Sequence, residues 1–275
     1  MFIKSQDIGG LISMNRIDVK FEELKKANKK ALIAFLTVGD GGYETTEKAI
    51  LAMEKAGVDM IELGIPFSDP IAEGPVIQDA SERALAGGTT LIGIFEMVNR
   101  LRKQTDIPLL MMMYLNTIYR FGTERFFKKC DENGIDGVIV PDMPYEEKNE
   151  IQGIADKYGK HSISLVAPTS AERIEKIAKD ATGFLYCVSS TGVTGMRSEF
   201  NTNFDDFFGA IKKHSKIPSA VGFGISNAEQ AKEMSKYCDG VIVGSAIVRL
   251  IGEKKEDSID KVYNLVSSMR KALDE

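Results

Sequence analysis

Short apolar runs recur along the chain, each followed by a longer stretch in which apolar residues return every three or four positions. Alternation of such runs with helical periods predicts a parallel sheet with crossover helices. Eight strands are expected, at residues 31–37 (ALIAFLT), 60–64 (MIELG), 108–113 (PLLMMM), 137–140 (GVIV), 162–166 (SISLV), 183–187 (GFLYC), 219–222 (SAVG) and 240–243 (GVIV). Helical stretches are expected at 44–56, 91–103, 124–133, 145–158, 171–179, 203–215 and 227–237, with one helix at 16–27 ahead of the first strand and another at 258–273. Eight such units in about 250 residues, with no Pro/Ser-rich linker, predict an α/β fold: a single (β/α)8 TIM barrel. The N-terminal helix is extra to that plan, as is a short helical piece at 247–250 before the last barrel helix. An open doubly wound sheet would more often place G-x-G-x-x-G after its first strand, where this chain reads VGDGG at 38–42. The expected organisation is a catalytic barrel over residues 15–275, preceded by a disordered extension over 1–14.

Composition narrows the function. The formal net charge is -5, with 43% hydrophobic and 27% charged residues, an ordinary globular balance that excludes a disordered chain. Lysines and arginines form no stripe with interleaved aromatics, which excludes nucleic acid as a partner. Apolar runs fall short of the roughly 18 residues a membrane span needs, so no membrane segment and a cytoplasmic protein are expected. Cys130, Cys187 and Cys238 are an odd number at wide spacing and are expected as reduced, partly buried structural thiols. The two histidines, His161 before the fifth strand and His214 at a helix end, are expected at the surface. A histidine-based metal site is therefore not expected.

In such barrels chemistry sits in the loops after the strands. The strand-end residues are Thr37, Asp40, Glu62, Tyr114, Asn116, Asp142 and Ser189, and no lysine is among them. A Schiff-base mechanism needs one, which leaves acid/base chemistry by carboxylates. Glu62 alternates with Ile61 and Leu63, so it faces the opposite side of its strand. Inside an apolar barrel its pKa would rise into a range useful for proton transfer. From position alone, a solvated strand-end carboxylate or a helix-capping role fits equally well. The next loop, 65–75 (IPFSDPIAEGP), holds three prolines that restrict its shape, with Asp69 and Glu73. Glu73 would lean over the pocket as a second carboxylate, unless both acids merely solvate a turn. Glycine clusters at 189–195 (SSTGVTG), 222–226 (GFGIS) and 244–246 (GSA) follow the last three strands. Glycines admit close approach of backbone N–H groups to an anion, and a short helix after strand 8 adds partial positive charge, so a phosphate site is expected there.

The strings ELGIPFSDPIAEGPVIQ (62–78), STGVTG (190–195), GFGIS (222–226) and GSAIV (244–248) resemble the α subunit of tryptophan synthase, a likeness that runs from about Asn15 onward. That resemblance implies a lyase that cleaves indole-3-glycerol phosphate to indole and glyceraldehyde 3-phosphate without metal or cofactor of its own. It also implies an α2β2 assembly in which indole passes to a pyridoxal-phosphate β subunit. By position, Glu62 is the family's general acid and base. Glu73 stands where the family usually has Asp, as acceptor of the indole N–H. Tyr186 matches a tyrosine near the catalytic carboxylate, and Thr194 sits where loop 6 closes onto the second one. Gly195, Gly224, Gly244 and Ser245 match phosphate ligands. Phe35, Ile77, Tyr114, Ile139 and Phe223 match the apolar indole pocket, although core packing explains each equally well. Asp69, with Phe67 and Ile71 read as exposed, is expected on the partner interface. A free-standing lyase that releases indole and a catalytically weak partner subunit are the competing readings, with sugar-phosphate isomerase activity as the fallback.

Overall fold

The computed structural model describes residues 14–71, 73–168, 173–188, 204–222 and 224–275. Strands β1 (Ala31–Thr37), β2 (Met60–Gly64), β3 (Leu109–Met112), β4 (Gly137–Ile139), β5 (His161–Val166), β6 (Leu185–Val188), β7 (Ser219–Gly222) and β8 (Gly240–Val243) pair in parallel and in sequence order. β8 returns to β1, which closes the barrel. Strand alternation sorts side chains into two cores. Leu32, Ala34 and Leu36 of β1, like Ile61 and Leu63 of β2, face outward into the shell of helices. Ile33, Met60, Leu110, Ile139, Ile163 and Ile242 fill the interior. The barrel is a packed body and not a pore.

Helices follow in the order α1 (Arg16–Lys26), α2 (Tyr43–Lys55), α3 (Pro75–Ala86), α4 (Leu91–Leu101), α5 (Leu115–Phe121), α6 (Thr123–Glu132), α7 (Asn149–Lys157), α8 (Ile174–Asp180), α9 (Phe204–His214), α10 (Ala228–Ser235), α11 (Ser245–Gly252) and α12 (Ser258–Asp274). α1 shows why a helix forms before the first strand. The Asn15 side chain accepts a hydrogen bond from Ile17 N at 3.0 Å, Asp18 lies in the first turn and Lys25 and Lys26 in the last. Its buried stripe of Ile17, Phe21 and Leu24 plugs the N-terminal end of the barrel, with the Phe21 and Phe184 rings 5.6 Å apart.

Several elements depart from the sequence expectation. Helices α3 and α5 were not anticipated. α3 follows the proline loop directly, with Pro75 in its first turn. α5 has seven residues and stops at Gly122, whose φ of +92° only glycine adopts without strain. The expected helix at 145–158 is a 3-10 turn, Tyr145–Glu147, followed by α7. The short piece at 247–250 is the longer α11. Strand β6 starts two residues late because Gly183, at φ +70°, is still in the turn. Neither histidine is fully exposed: His214 is half-buried at the end of α9, and His161 opens β5, half-buried, with Nε2 2.9 Å from an Asp18 carboxylate oxygen. All three cysteines are free and buried, and burial raises each thiol pKa, that of Cys238 to about 12. No helix among the described residues is long and apolar enough to cross a membrane. The expected extension lies outside the described residues except for Met14, and so do the first residues of the 171–179 and 203–215 helices.

Candidate active site at the strand ends

Glu62 sits on β2, in register with Phe35 of β1 on one side and Leu110 of β3 on the other. Those neighbours belong to the apolar interior, so Glu62 faces inward as its alternation requires. It is 0% exposed, and neither carboxylate oxygen has a hydrogen-bond partner among the described residues. Loss of hydration penalises the charged form, and burial alone pushes its pKa from 4.5 up to about 8. The solvated and capping readings of this residue are thereby removed. Tyr186 lies close enough for the charge of Glu62 to act on it, but burial is the larger reason that its phenol titrates well above 10. Its ring leans over β7: a Cβ at position 222 would fall 2.6 Å from its hydroxyl oxygen, so glycine is needed there.

The loop after β2 is tied to the end of β3. The Tyr114 hydroxyl donates to the Glu73 carboxylate and accepts a hydrogen bond from Ile71 N at 2.8 Å. Gln78 of α3 donates to the Glu73 carbonyl, also at 2.8 Å. Tyr114 therefore does more than line an apolar wall, because its hydroxyl sets the position of the second carboxylate. The Phe67 ring lies 5.0 Å from that of Tyr114, so Phe67 is half-buried and not exposed as expected. Ile71 is 74% exposed, and Asp69 is exposed beside Ser68, whose hydroxyl it accepts.

Of the expected pocket residues, Phe35 and Ile77 meet in a small apolar cluster with Ala80 and Val248, which joins β1, α3 and α11. A Cβ on Gly64 would collide with the Phe35 ring. Ile139 lies in the barrel interior with Leu110 and Tyr186. Where the sequence predicts a phosphate site, Gly224 has φ +92°, and Gly244 and Ser245 open α11, whose hydrogen-bond ladder begins with Ile247 N to Gly244 O at 2.9 Å. The N–H groups of Ser245 and Ala246 precede that ladder, at the positive end of the helix dipole. Thr194, Gly195 and Phe223 lie outside the described residues.

Two strand-end acids have structural partners. Asp40 is 1% exposed and takes both Arg83 Nε (2.8 Å) and Arg83 Nη2 (2.7 Å), a bidentate pair that locks α3 to the end of β1. Asp142 accepts from Leu115 N at 3.0 Å and so holds the start of α5. Sequence reasoning singled out Asp40 and missed Arg83, since nothing in the local pattern links residues 43 positions apart. Among the described residues no cluster of three or more His, Cys, Asp or Glu side chains is arranged to hold a metal ion.

The family model described as "Tryptophan synthase alpha chain" matches residues 21–274. A protein of that name from Clostridium kluyveri is 46% identical over 265 residues, covering 95% of this chain and 100% of the relative. Another from a Thermoanaerobacter species is 48% identical, covering 94% and 100%. Among solved structures, the tryptophan synthase alpha chain of Legionella pneumophila superposes with a TM-score of 0.87 at 39% identity, covering 95% of this chain and 98% of that one. A chain of the Pyrococcus furiosus tryptophan synthase a2b2 complex superposes with a TM-score of 0.81 at 37% identity, covering 88% and 98%.

Proposed function

The chain belongs to the tryptophan synthase alpha chain family, and we propose that its reaction is carried by Glu62 as general acid and base, with Glu73 as acceptor of the indole N–H. The activity is cleavage of indole-3-glycerol phosphate to indole and glyceraldehyde 3-phosphate in tryptophan biosynthesis, as the alpha subunit of an alpha–beta assembly. One observation carries the assignment: the Glu62 carboxyl is buried, unpartnered among the described residues and has a pKa of about 8. A carboxyl in that state is neutral near pH 7 and has a proton to give.

Glu62 gives this proton to carbon 3 of the indole ring, and the carboxylate so formed takes the proton of the hydroxyl on the adjoining chain carbon. The O–H electron pair becomes the aldehyde C=O. The carbon–carbon bond breaks, and its pair restores the ring double bond to carbon 3. One proton leaves the hydroxyl and one arrives on the ring, so Glu62 ends protonated as it began. Between these events the ring nitrogen carries positive charge. Glu73, held by the Tyr114 hydroxyl, accepts the N–H and stabilises that cation. The tyrosine contact sets the longer glutamate arm in place and offsets the rotamer freedom of its extra methylene.

Phe35, Ile77, Ile139 and Phe223 flank the ring. Gly195, Gly224, Gly244 and Ser245 hold the phosphate, while Thr194 meets the second carboxylate when loop 6 closes. Tyr186, a neutral phenol beside Glu62, acts as a hydrogen-bonding neighbour and not as a base. Side chains alone suffice for this chemistry, so no cofactor is assigned to this subunit; pyridoxal phosphate belongs to the beta partner. Asp69 is assigned to the contact with that partner. It lies on the loop whose Ile65, Pro66 and Phe67 form one wall of a groove of roughly 370 Å3, with Leu85 and Leu91 opposite.

Single-turnover cleavage with the beta subunit present tests the assignment. Glu62→Gln should lose on the order of 10² to 10⁴-fold in rate, the usual share of a general acid/base. Glu73→Ala should be severely impaired. Rates within a few-fold of wild type for either would remove that residue from its role.

A further inference from the structure

At the catalytic end of the barrel, two side chains bury polar oxygens with no hydrogen-bond partner among the described residues. One is Glu62. The other is Thr37, the last residue of β1, which is 3% exposed. Its direction follows from its strand. Leu32, Ala34 and Leu36 face the outer shell, while Ile33 and Phe35 face inward, so Thr37 continues the inward set. It stands in register with Gly64, which has no side chain to offer it, and one step above the Phe35–Glu62 pair.

A buried hydroxyl left unpaired is a net cost, and valine would fill the same volume without it and suits a strand as well. The hydroxyl is therefore best explained by a partner that arrives with the ligand. Strand order shows which part of the ligand that is. β1 lies between β2, which carries Glu62, and β8, which ends at Gly244 and Ser245. The chain of the substrate has the same order: the hydroxyl that surrenders its proton, a second hydroxyl, then the phosphate.

We propose that the Thr37 hydroxyl binds the second hydroxyl of the substrate's glycerol chain, and so selects a dihydroxylated phosphate ester over its deoxygenated analogue. This inference rests on the placement of Glu62 and of the phosphate nest proposed above. A site built around a substrate hydroxyl discriminates against the analogue that lacks it.

The experiment compares Thr37→Val and Thr37→Ser with wild type in the assembled alpha–beta complex. Three readouts are needed: kcat/KM for indole-3-glycerol phosphate, the inhibition constant of 3-(indol-3-yl)propyl phosphate, which lacks both hydroxyls, and the Tm of the ligand-free alpha subunit. Thr37→Val should lower kcat/KM by about tenfold, as for a lost hydrogen bond to a neutral group. It should leave the inhibition constant within about twofold and should not lower Tm, and Thr37→Ser should recover most of the activity. Equal weakening of both ligands would overturn the proposal, because the effect would then be one of shape. An unchanged kcat/KM would overturn it directly, and a clear fall in Tm would assign Thr37 to the fold. Failure of the Glu62 assignment is read separately, from undiminished cleavage by Glu62→Gln.

Discussion

With Glu62 in its proposed role, the fold and the chemistry have opposite interests in one proton. Its carboxyl has a pKa of 4.5 in water and about 8 in the barrel. Between those values the folded protein holds a proton that the unfolded chain has released, so stability falls as pH rises through that window. Below about 4.5 the group exerts no such pull. Above about 8 the barrel must bury a carboxylate. The Tm difference between Glu62→Gln and wild type should therefore grow in favour of the variant from pH 5 to pH 9. In the proposed mechanism the same proton serves catalysis, so kcat/KM should decline as pH rises past about 8. A rate flat from pH 6 to pH 9.5 would mean that another group protonates the ring. Glu73 has a different environment: it is tied by the Tyr114 hydroxyl, and its proposed task is to accept the indole N–H.

Among the elements, α11 is the one whose start is assigned a task, the proposed phosphate site. Gly244 and Ser245 present N–H groups at the end of β8, and Val248 from the next turn packs with Phe35 and Ile77, so one short helix touches both the proposed phosphate site and the apolar wall. A carboxylate at its first residue would repel a bound phosphate dianion. Ser245→Asp should weaken binding of glycerol phosphate by at least tenfold, measured calorimetrically, with the fold retained by circular dichroism. Unchanged affinity would place the phosphate elsewhere. α3 links the same parts from the other side: Ile77 lines the wall, and Arg83 anchors the helix to Asp40. A Cβ on Gly252, at the end of α11, would fall 2.6 Å from Arg83 Nη2, so the two helices approach closely there.

On the scale of the whole molecule, the two ends of the barrel have separate duties. The N-terminal end is closed by α1 and by a network in which Asp136 pairs with Arg16 at 2.9 Å and Arg102 at 3.1 Å. The C-terminal end carries the site and the exposed loop with Ile71 and Asp69. An apolar residue 74% exposed, on a loop whose Ile65, Pro66 and Phe67 line a groove, fits burial against a partner better than a solvated turn. Asp69→Ala should weaken activation by the beta subunit several-fold while basal cleavage by the isolated alpha subunit persists. Activation and co-purification equal to wild type would make Asp69 a turn residue only.

Alternation along β2, the eight strand–helix units and the glycines after strands 7 and 8 are local patterns, and they determined the barrel, the separation of Glu62 from Ile61 and Leu63 across its strand, and the placement of Gly224, Gly244 and Ser245 at strand ends, while the choice between a buried and a solvated Glu62 waited for the closed barrel. Period and backbone freedom depend on near neighbours, so a sequence displays them. Tertiary structure decided the rest. Tyr114 meets Glu73 across 41 positions and Arg83 meets Asp40 across 43, while Asp142 reaches Leu115 N and Asp18 reaches His161. Each is a polar contact between groups brought together only when the barrel closes. In the sequence, Tyr114 resembled a wall residue and Asp40 was a strand-end acid with no assigned partner, because a partner far along the chain leaves no local periodicity. Thr37 shows the same division: its place at a strand end was legible in the sequence, but only the closed barrel left its hydroxyl without a partner among the described residues.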